Sequence, residues 1–163
     1  MVEQTLEFTR DATADEAVSE QALRELVSSV LRARPHDASH LELLEPGPEV
    51  VHRARPIGLR RAVANLIDNA VRHGGGARVR VLRDAGGARI EVDDDGPGLD
   101  PAMLERAFEP FFQADPARHR GAASAGGVGL GLSIARTCVR AHGGDVTLAN
   151  RPEGGLRATI QLP

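Results

Sequence analysis

The stretch that most constrains this chain is PIGLRRAVANLIDNAVRHGG, residues 56–75. Leu59, Ala62, Val63, Leu66, Ile67, Ala70 and Val71 recur three and four apart, the spacing of one buried helix face. A helix is therefore expected over residues 57–73, with Pro56 tolerated in its first turn and Gly74-Gly75-Gly76 as its stop. A helix this long with one apolar face needs a layer to cover that face. On its other side Arg61, Asn65, Asn69 and Arg72 fall at three- and four-residue steps and form a single stripe. Amides cost helix propensity and seek partners. A solvated face is the plain account of such a stripe; a ligand site is the other.

The rest of the chain supplies candidates for that covering layer. Residues 2–11 are a short amphipathic piece with no visible stop, and the polar patch DATADEA follows. Ser19 is a plausible N-cap for a helix over residues 20–34, with apolar stripe Leu23, Leu26, Val27, Val30 and Leu31, ended by Pro35. Residues 40–44 and 49–54 read as strands around a Pro-Gly-Pro turn. After the asparagine helix, residues 77–83 alternate Val79 and Val81 with arginines, residues 84–87 turn, and 88–92 form the returning strand of a hairpin. A short helix is expected over 101–108, then a Gly/Ala/Ser-rich loop over 109–128. A helix over 130–141 carries Leu132, Ile134, Ala135, Cys138 and Val139 and ends at His142-Gly143-Gly144, with Gly143 suited to the left-handed position. Strands 145–149 and 156–162, joined by NRPEGG, close the chain. Helices and hairpins in this order fit an α+β, two-layer sandwich: a mixed, mostly antiparallel sheet of about five strands with three main helices on one face.

Some functions are excluded at once. With 163 residues, a net charge of -3 and a pI near 6.1, the chain is about one domain and has no basic footprint for nucleic acid. It has no apolar run long enough to span a membrane and no signal-peptide pattern. The single Cys138 sits in an apolar-periodic run, which suits a small buried residue in a reducing compartment.

Two glycine clusters carry chemistry. Asp94-Asp95-Gly96-Pro97-Gly98 follows the hairpin; it suits a turn, yet glycine also lets backbone approach a flat ligand, and an aspartate beside it can accept from an exocyclic amine. Gly126-Gly127-Val128-Gly129-Leu130-Gly131 runs into a helix, where backbone N–H groups freed of side chains make a phosphate site. Its G-x-G-x-G spacing is not the dinucleotide fingerprint. It is not a P-loop either, because Gly-Val stands where Lys-Ser/Thr is needed. Between the clusters, Phe108, Phe111 and Phe112 account for three of the four phenylalanines in a chain without Trp or Tyr.

Taken in order, NLIDNAVRH, DDGPG, FEPFF and GVGLGL resemble the N, G1, F and G2 boxes of one family. It is the catalytic and ATP-binding domain of bacterial sensor histidine kinases, in the gyrase/Hsp90/histidine-kinase/MutL (Bergerat-fold) superfamily. The match covers residues 50–163, with an EnvZ-like kinase as the nearest subclass. The resemblance implies that Asn69 gives its side-chain carbonyl to a Mg²⁺ bridging the phosphates of ATP, with Asn65 one turn earlier facing the phosphates or a water. It implies that Arg72 neutralises phosphate charge and that His73 packs near the nucleotide. Asp94 would recognise the adenine amine, and Gly96 and Gly98 would let the strand end turn beneath the base. Gly127, Gly129 and Gly131 would wrap the triphosphate, Val128 lying among them and Leu130 and Leu132 anchoring the loop. Residues 113–126 would form a lid, and Phe108, Phe111 and Phe112 would pack under it or dock on a partner helix, with simple core packing as the plain alternative.

One position sorts kinase from hydrolase. ATPases of the superfamily carry a glutamate base where Asn65 stands, so this chain is expected to transfer phosphate to a histidine and not to water. The acceptor of the family lies in a His-Glu/Asp-x-x-x-Pro helix. His52-Arg-Ala-Arg-Pro56 is the nearest approach, but it lacks the acid and lies in an expected strand. Residues 1–14 resemble the end of a second dimerisation helix with its linker, and 15–163 the catalytic domain. The expected partners are ATP, the histidine-bearing dimerisation domain of a parent kinase and, indirectly, a response regulator. The isolated domain is expected to be a monomer and its parent a cytoplasm-facing, membrane-anchored homodimer. The competing readings are an ATP-hydrolysing conformational clamp, a serine kinase of the anti-sigma type, and a non-catalytic nucleotide-sensing scaffold.

Overall fold

The computed structural model describes residues 16–34, 40–44, 47–114 and 129–163. In chain order the elements are β1 (Ser19–Ala22), α1 (Leu23–Arg32), β2 (His40–Leu43), β3 (Val51–Ala54), α2 (Pro56–Gly74), β4 (Gly76–Asp84), β5 (Gly87–Asp93), α3 (Gly131–Arg140), β6 (Asp145–Asn150) and β7 (Leu156–Leu162). Five strands make one sheet in the order β2-β4-β5-β7-β6; β1 and β3 pair separately. The β2–β4 pairing is parallel and the others are antiparallel, which is the mixed, mostly antiparallel sheet expected. The amphipathic piece at 2–11, the expected boundary at residue 14 and most of the expected lid lie outside the described residues.

Period-two alternation sets the two faces of the sheet. Val79 and Val81 of β4, Ile90 and Val92 of β5, and Ala158 and Ile160 of β7 are buried in one cluster with the apolar faces of the three helices. Along α2, Leu59, Val63, Leu66 and Ile67 are at most 1% exposed, each contributing roughly 1.5–3 kcal/mol by burial. The opposite sheet face carries Arg78, Arg80, Arg89 and Arg157, paired with Asp84, Glu91, Asp93 and Asp95. Pro56 stands in the first turn of α2, and its last turn closes on Gly75 in the left-handed conformation, whose N–H donates to Val71 O at 3.0 Å.

Three local expectations are corrected. Ser19 does not cap a helix: residues 19–22 pair with β3, and α1 begins three residues later than expected, at Leu23. Its start is closed from a distance, Leu23 N–H donating to Val50 O (2.9 Å) and Arg24 N–H to Glu49 Oε1 (2.8 Å). β2 and β3 do not face each other across a turn; β2 pairs with β4 and β3 with β1. Residues 101–108 form two single 3₁₀ turns, Pro101–Met103 and Arg106–Phe108, and not one helix.

Candidate nucleotide site

The amide stripe of α2, the end of β5 and the start of α3 meet at a cavity of about 380 Å³. From α2 come Asn65, Asn69, Arg72 and His73; Arg61, the first member of the stripe, stays outside. Asp94, Pro97, Gly98 and Leu99 come from the segment after β5, and Gly129, Leu130, Gly131 and Leu132 from the start of α3. Gly127 and Val128 lie outside the described residues.

Asp94 is 5% exposed. Its Oδ1 accepts from Gly96 N–H at 2.8 Å and Leu156 N–H at 3.1 Å, leaving Oδ2 outside both bonds. The two bonds fix the carboxylate at the cavity wall. Gly96 itself does not line the cavity; a Cβ there would lie 2.7 Å from His73 O. A Cβ on Gly98, at φ +72°, would meet Asn150 Oδ1 at 2.5 Å. These glycines admit neighbouring protein groups, His73 O at Gly96 and Asn150 Oδ1 at Gly98.

Asn65 supplies the most telling polar atom. Its Nδ2 is buried and has no hydrogen-bond partner, a cost of about 1–3 kcal/mol unless an acceptor arrives. Gly131, at the start of α3, sits close by: a Cβ built there would be 3.9 Å from Asn65 Oδ1. Helix N-terminus and orphan donor thus share one corner, and both favour an anion. No group of three His, Cys, Asp or Glu able to hold a metal occurs among the described residues. A cation here would have the neutral amide oxygen of Asn69 plus whatever the ligand and water bring, a donor set that fits Mg²⁺ on phosphates.

Asp68 also lines the cavity, although it lies off the amide stripe. Its Oδ1 is taken by Arg34, whose Nε donates at 2.8 Å while its other nitrogens hold Val30 O and Ala64 O. The phenylalanines part company. Phe108 is buried under Arg136, Phe112 lines the cavity, and Phe111 is 47% exposed at φ +65° with its N–H donating to Gly129 O (2.9 Å). The sequence reading missed Leu156 and Ile134 as lining residues. Leu156 was recoverable, because it shares the inward parity of Ala158, Ile160 and Leu162. His52, on β3, is half-buried and far from the helical context of a phosphoacceptor.

Residues 54–163 match the family described as histidine kinase-, DNA gyrase B-, and HSP90-like ATPase. The chain belongs to this family. Within it, the whole chain is 38% identical over 169 residues to sensor histidine kinase GtrS of Pseudomonas aeruginosa and covers 33% of that protein. It thus spans about a third of the curated relatives it matches. Among solved structures, the ATP binding domain of PrrB from Mycobacterium tuberculosis superposes with a TM-score of 0.67 at 28% identity, over 90% of this chain and 96% of that one. The histidine kinase domain of the Escherichia coli osmosensor EnvZ does so with a TM-score of 0.64 at 31% identity, over 93% and 92%. The α+β layout of these relatives is the one found here. None of the described helices is long and apolar enough to cross a membrane.

Proposed function

We propose that this chain is the ATP-binding catalytic domain of a sensor histidine kinase, moving the γ-phosphoryl group of ATP to a histidine on a separate dimerisation domain. The observation that carries the reading is the unpartnered buried amide of Asn65 in the same cavity as the fixed carboxylate of Asp94. Asp94 accepts from the exocyclic amine of adenine, and Leu99, Ile134 and Leu156 supply apolar walls for the base. Asn65 Nδ2, Arg72 and the N-terminal N–H groups of α3 hold the phosphates, with Gly127, Gly129 and Gly131 as backbone donors around them. Asn69 would hold Mg²⁺, which would neutralise phosphate charge. His73 packs beside the nucleotide, and Phe112 lines the same cavity.

In the transfer step a bond forms from an imidazole nitrogen of the acceptor to the γ-phosphorus as the bond to the β-bridging oxygen breaks, leaving ADP. The chain contributes positioning and charge neutralisation, which is most of what such a loose transition state can use. Water is a poor competitor. Asn65 has no titratable proton, and Asp68, the carboxylate one residue before Asn69, is engaged by Arg34. An ATP-dependent reaction places the domain on the cytoplasmic side of whatever membrane its parent occupies. The parent passes phosphate on to a response regulator and acts as a homodimer.

The test is calorimetric binding of a non-hydrolysable ATP analogue with and without Mg²⁺, followed by incubation of the chain with ATP and an acceptor helix hairpin. Magnesium-linked binding and an acid-labile, base-stable phosphoprotein are expected, with transfer lost in Asn69→Ala. Steady ATP turnover without acceptor, or an acid-stable product, would overturn the assignment in favour of a hydrolase or a serine kinase.

A further inference from the structure

The end of β6 and its turn into β7, Asn150–Gly155, grip the loop of Asp94 at both ends. At the far end Asn150 is bonded twice to Leu99, Oδ1 accepting from Leu99 N–H (2.9 Å) and Nδ2 donating to Leu99 O (2.7 Å). At the near end Arg151 donates through Nη1 to Asp94 O at 2.6 Å and to Asp95 Oδ1 at 3.1 Å. Its Nε lies 3.5 Å from Asp93 Oδ2. The side chain is only 12% exposed, so a single guanidinium bonds Asp94 and Asp95 to the turn and stands within ion-pair distance of Asp93. Gly155 presses on the same carbonyl: a Cβ there would stand 2.0 Å from Asp94 O. Leu156, next in sequence, donates its N–H to Asp94 Oδ1 and accepts from Asp94 N–H.

We infer that Arg151 is a positioning residue for base recognition: it locks the backbone of Asp94 so that the carboxylate meets the exocyclic amine of an adenine nucleotide at fixed distance. This rests on Asp94 being the adenine-binding group. The physical argument is one of geometry. Oδ1 is held by two N–H groups and cannot swing, so the placement of Oδ2 is set by the backbone, and Arg151 is the side chain that holds the backbone carbonyl. A guanidinium suits the task because it is planar and offers several donors in a fixed fork, whereas lysine is a flexible point charge.

The experiment compares ATP with purine riboside triphosphate, the same nucleotide without the amine, in Mg²⁺-containing buffer on the full chain. Wild-type protein is expected to prefer ATP by about tenfold or more, because a site built to bond an amine rejects the analogue that lacks it. In Arg151→Gln the affinity for ATP should fall by about tenfold while that for the amine-free analogue changes less than about twofold, collapsing the preference. Arg151→Lys, which keeps the charge but not the fork, should fall between wild type and Arg151→Gln. Equal losses for both nucleotides in either variant, or an unchanged preference, would overturn the positioning role and reduce Arg151 to a structural ion-pair residue. A wild-type protein that binds both nucleotides equally would instead defeat the adenine role of Asp94, and the inference with it.

Discussion

Gly74 sets helix propensity against packing. In an ordinary helix interior, replacing glycine by alanine stabilises by about 0.5–1 kcal/mol. Here the added Cβ would lie 2.6 Å from Asp94 Cβ and 2.9 Å from its Cγ, closer than carbon atoms tolerate. Overpacking of this kind costs about 1–3 kcal/mol and outweighs the propensity gain. Gly74→Ala is therefore expected to lose about 1 kcal/mol in chemical denaturation and, because Asp94 must move, several-fold in ATP affinity. The next residue is the control. Gly75 has open space around it but sits at φ +72°, so Gly75→Ala should cost about 1–2 kcal/mol and leave nucleotide affinity alone. A Gly74→Ala protein more stable than its parent would show that the contact relaxes freely.

At the scale of elements, what a local window holds was legible and what a distant partner decides was not. The apolar period of α2, the alternation of β4 and β5, and the glycine after α3 are local, and the elements formed within a residue or two of expectation. That Asn65 and Asn69 share a face followed from their spacing alone. The start of α1 did not follow. Ser19 and Glu20 carry good helix-start signals, but Ser19 pairs with Ala54 and Glu20 with Arg53, thirty-odd residues away in sequence. β2 likewise is placed by Gly76 opposite His40, where any Cβ would strike His40 O at 2.5 Å. For the same reason nothing local marks Arg151, since its partners are the backbone and carboxylates of a segment some 56 residues earlier. The displaced helix start is testable. Glu49 Oε1 accepts from both Arg24 N–H and Val50 N–H, doing the work of an N-cap from another segment. Glu49→Ala should cost about 1 kcal/mol and speed amide exchange at Arg24 and Val50, whereas Ser19→Ala should change neither. The reverse pattern would restore Ser19 as the cap.

Across the whole molecule, acid should undo the fold in two stages. His52 is half-buried on β3, and burial, then the charges of Arg83 and His142, hold its imidazole below the usual 6.5. A depressed pKa means that the unfolded chain binds this proton more readily than the folded one. The contribution of neutral His52 is therefore complete above about pH 6.5 and shrinks as pH falls from there. The carboxylates act lower. Burial pushes Asp93 up, but its bond to Arg157 and the charges of Arg157, Arg151 and Arg80 outweigh burial and hold it below the usual range. Asp95 is held down by hydrogen bonds from Arg78 and Arg151, and Asp145 by those from Arg136 and Arg140. Their stabilisation is present above the ordinary carboxylate pKa and is lost as pH drops through their depressed values. A plot of Tm against pH should accordingly show a shallow limb between about pH 7 and 5 and a steeper one below about pH 4. His52→Gln should flatten the upper limb and leave the lower in place. Arg157→Ala should do the opposite, because it frees Asp93 to titrate nearer its ordinary value while β3 is untouched. Since the two groups lie on different sheets, the effects should add in the double variant. Parallel profiles for His52→Gln and its parent would mean that the upper limb belongs to another group.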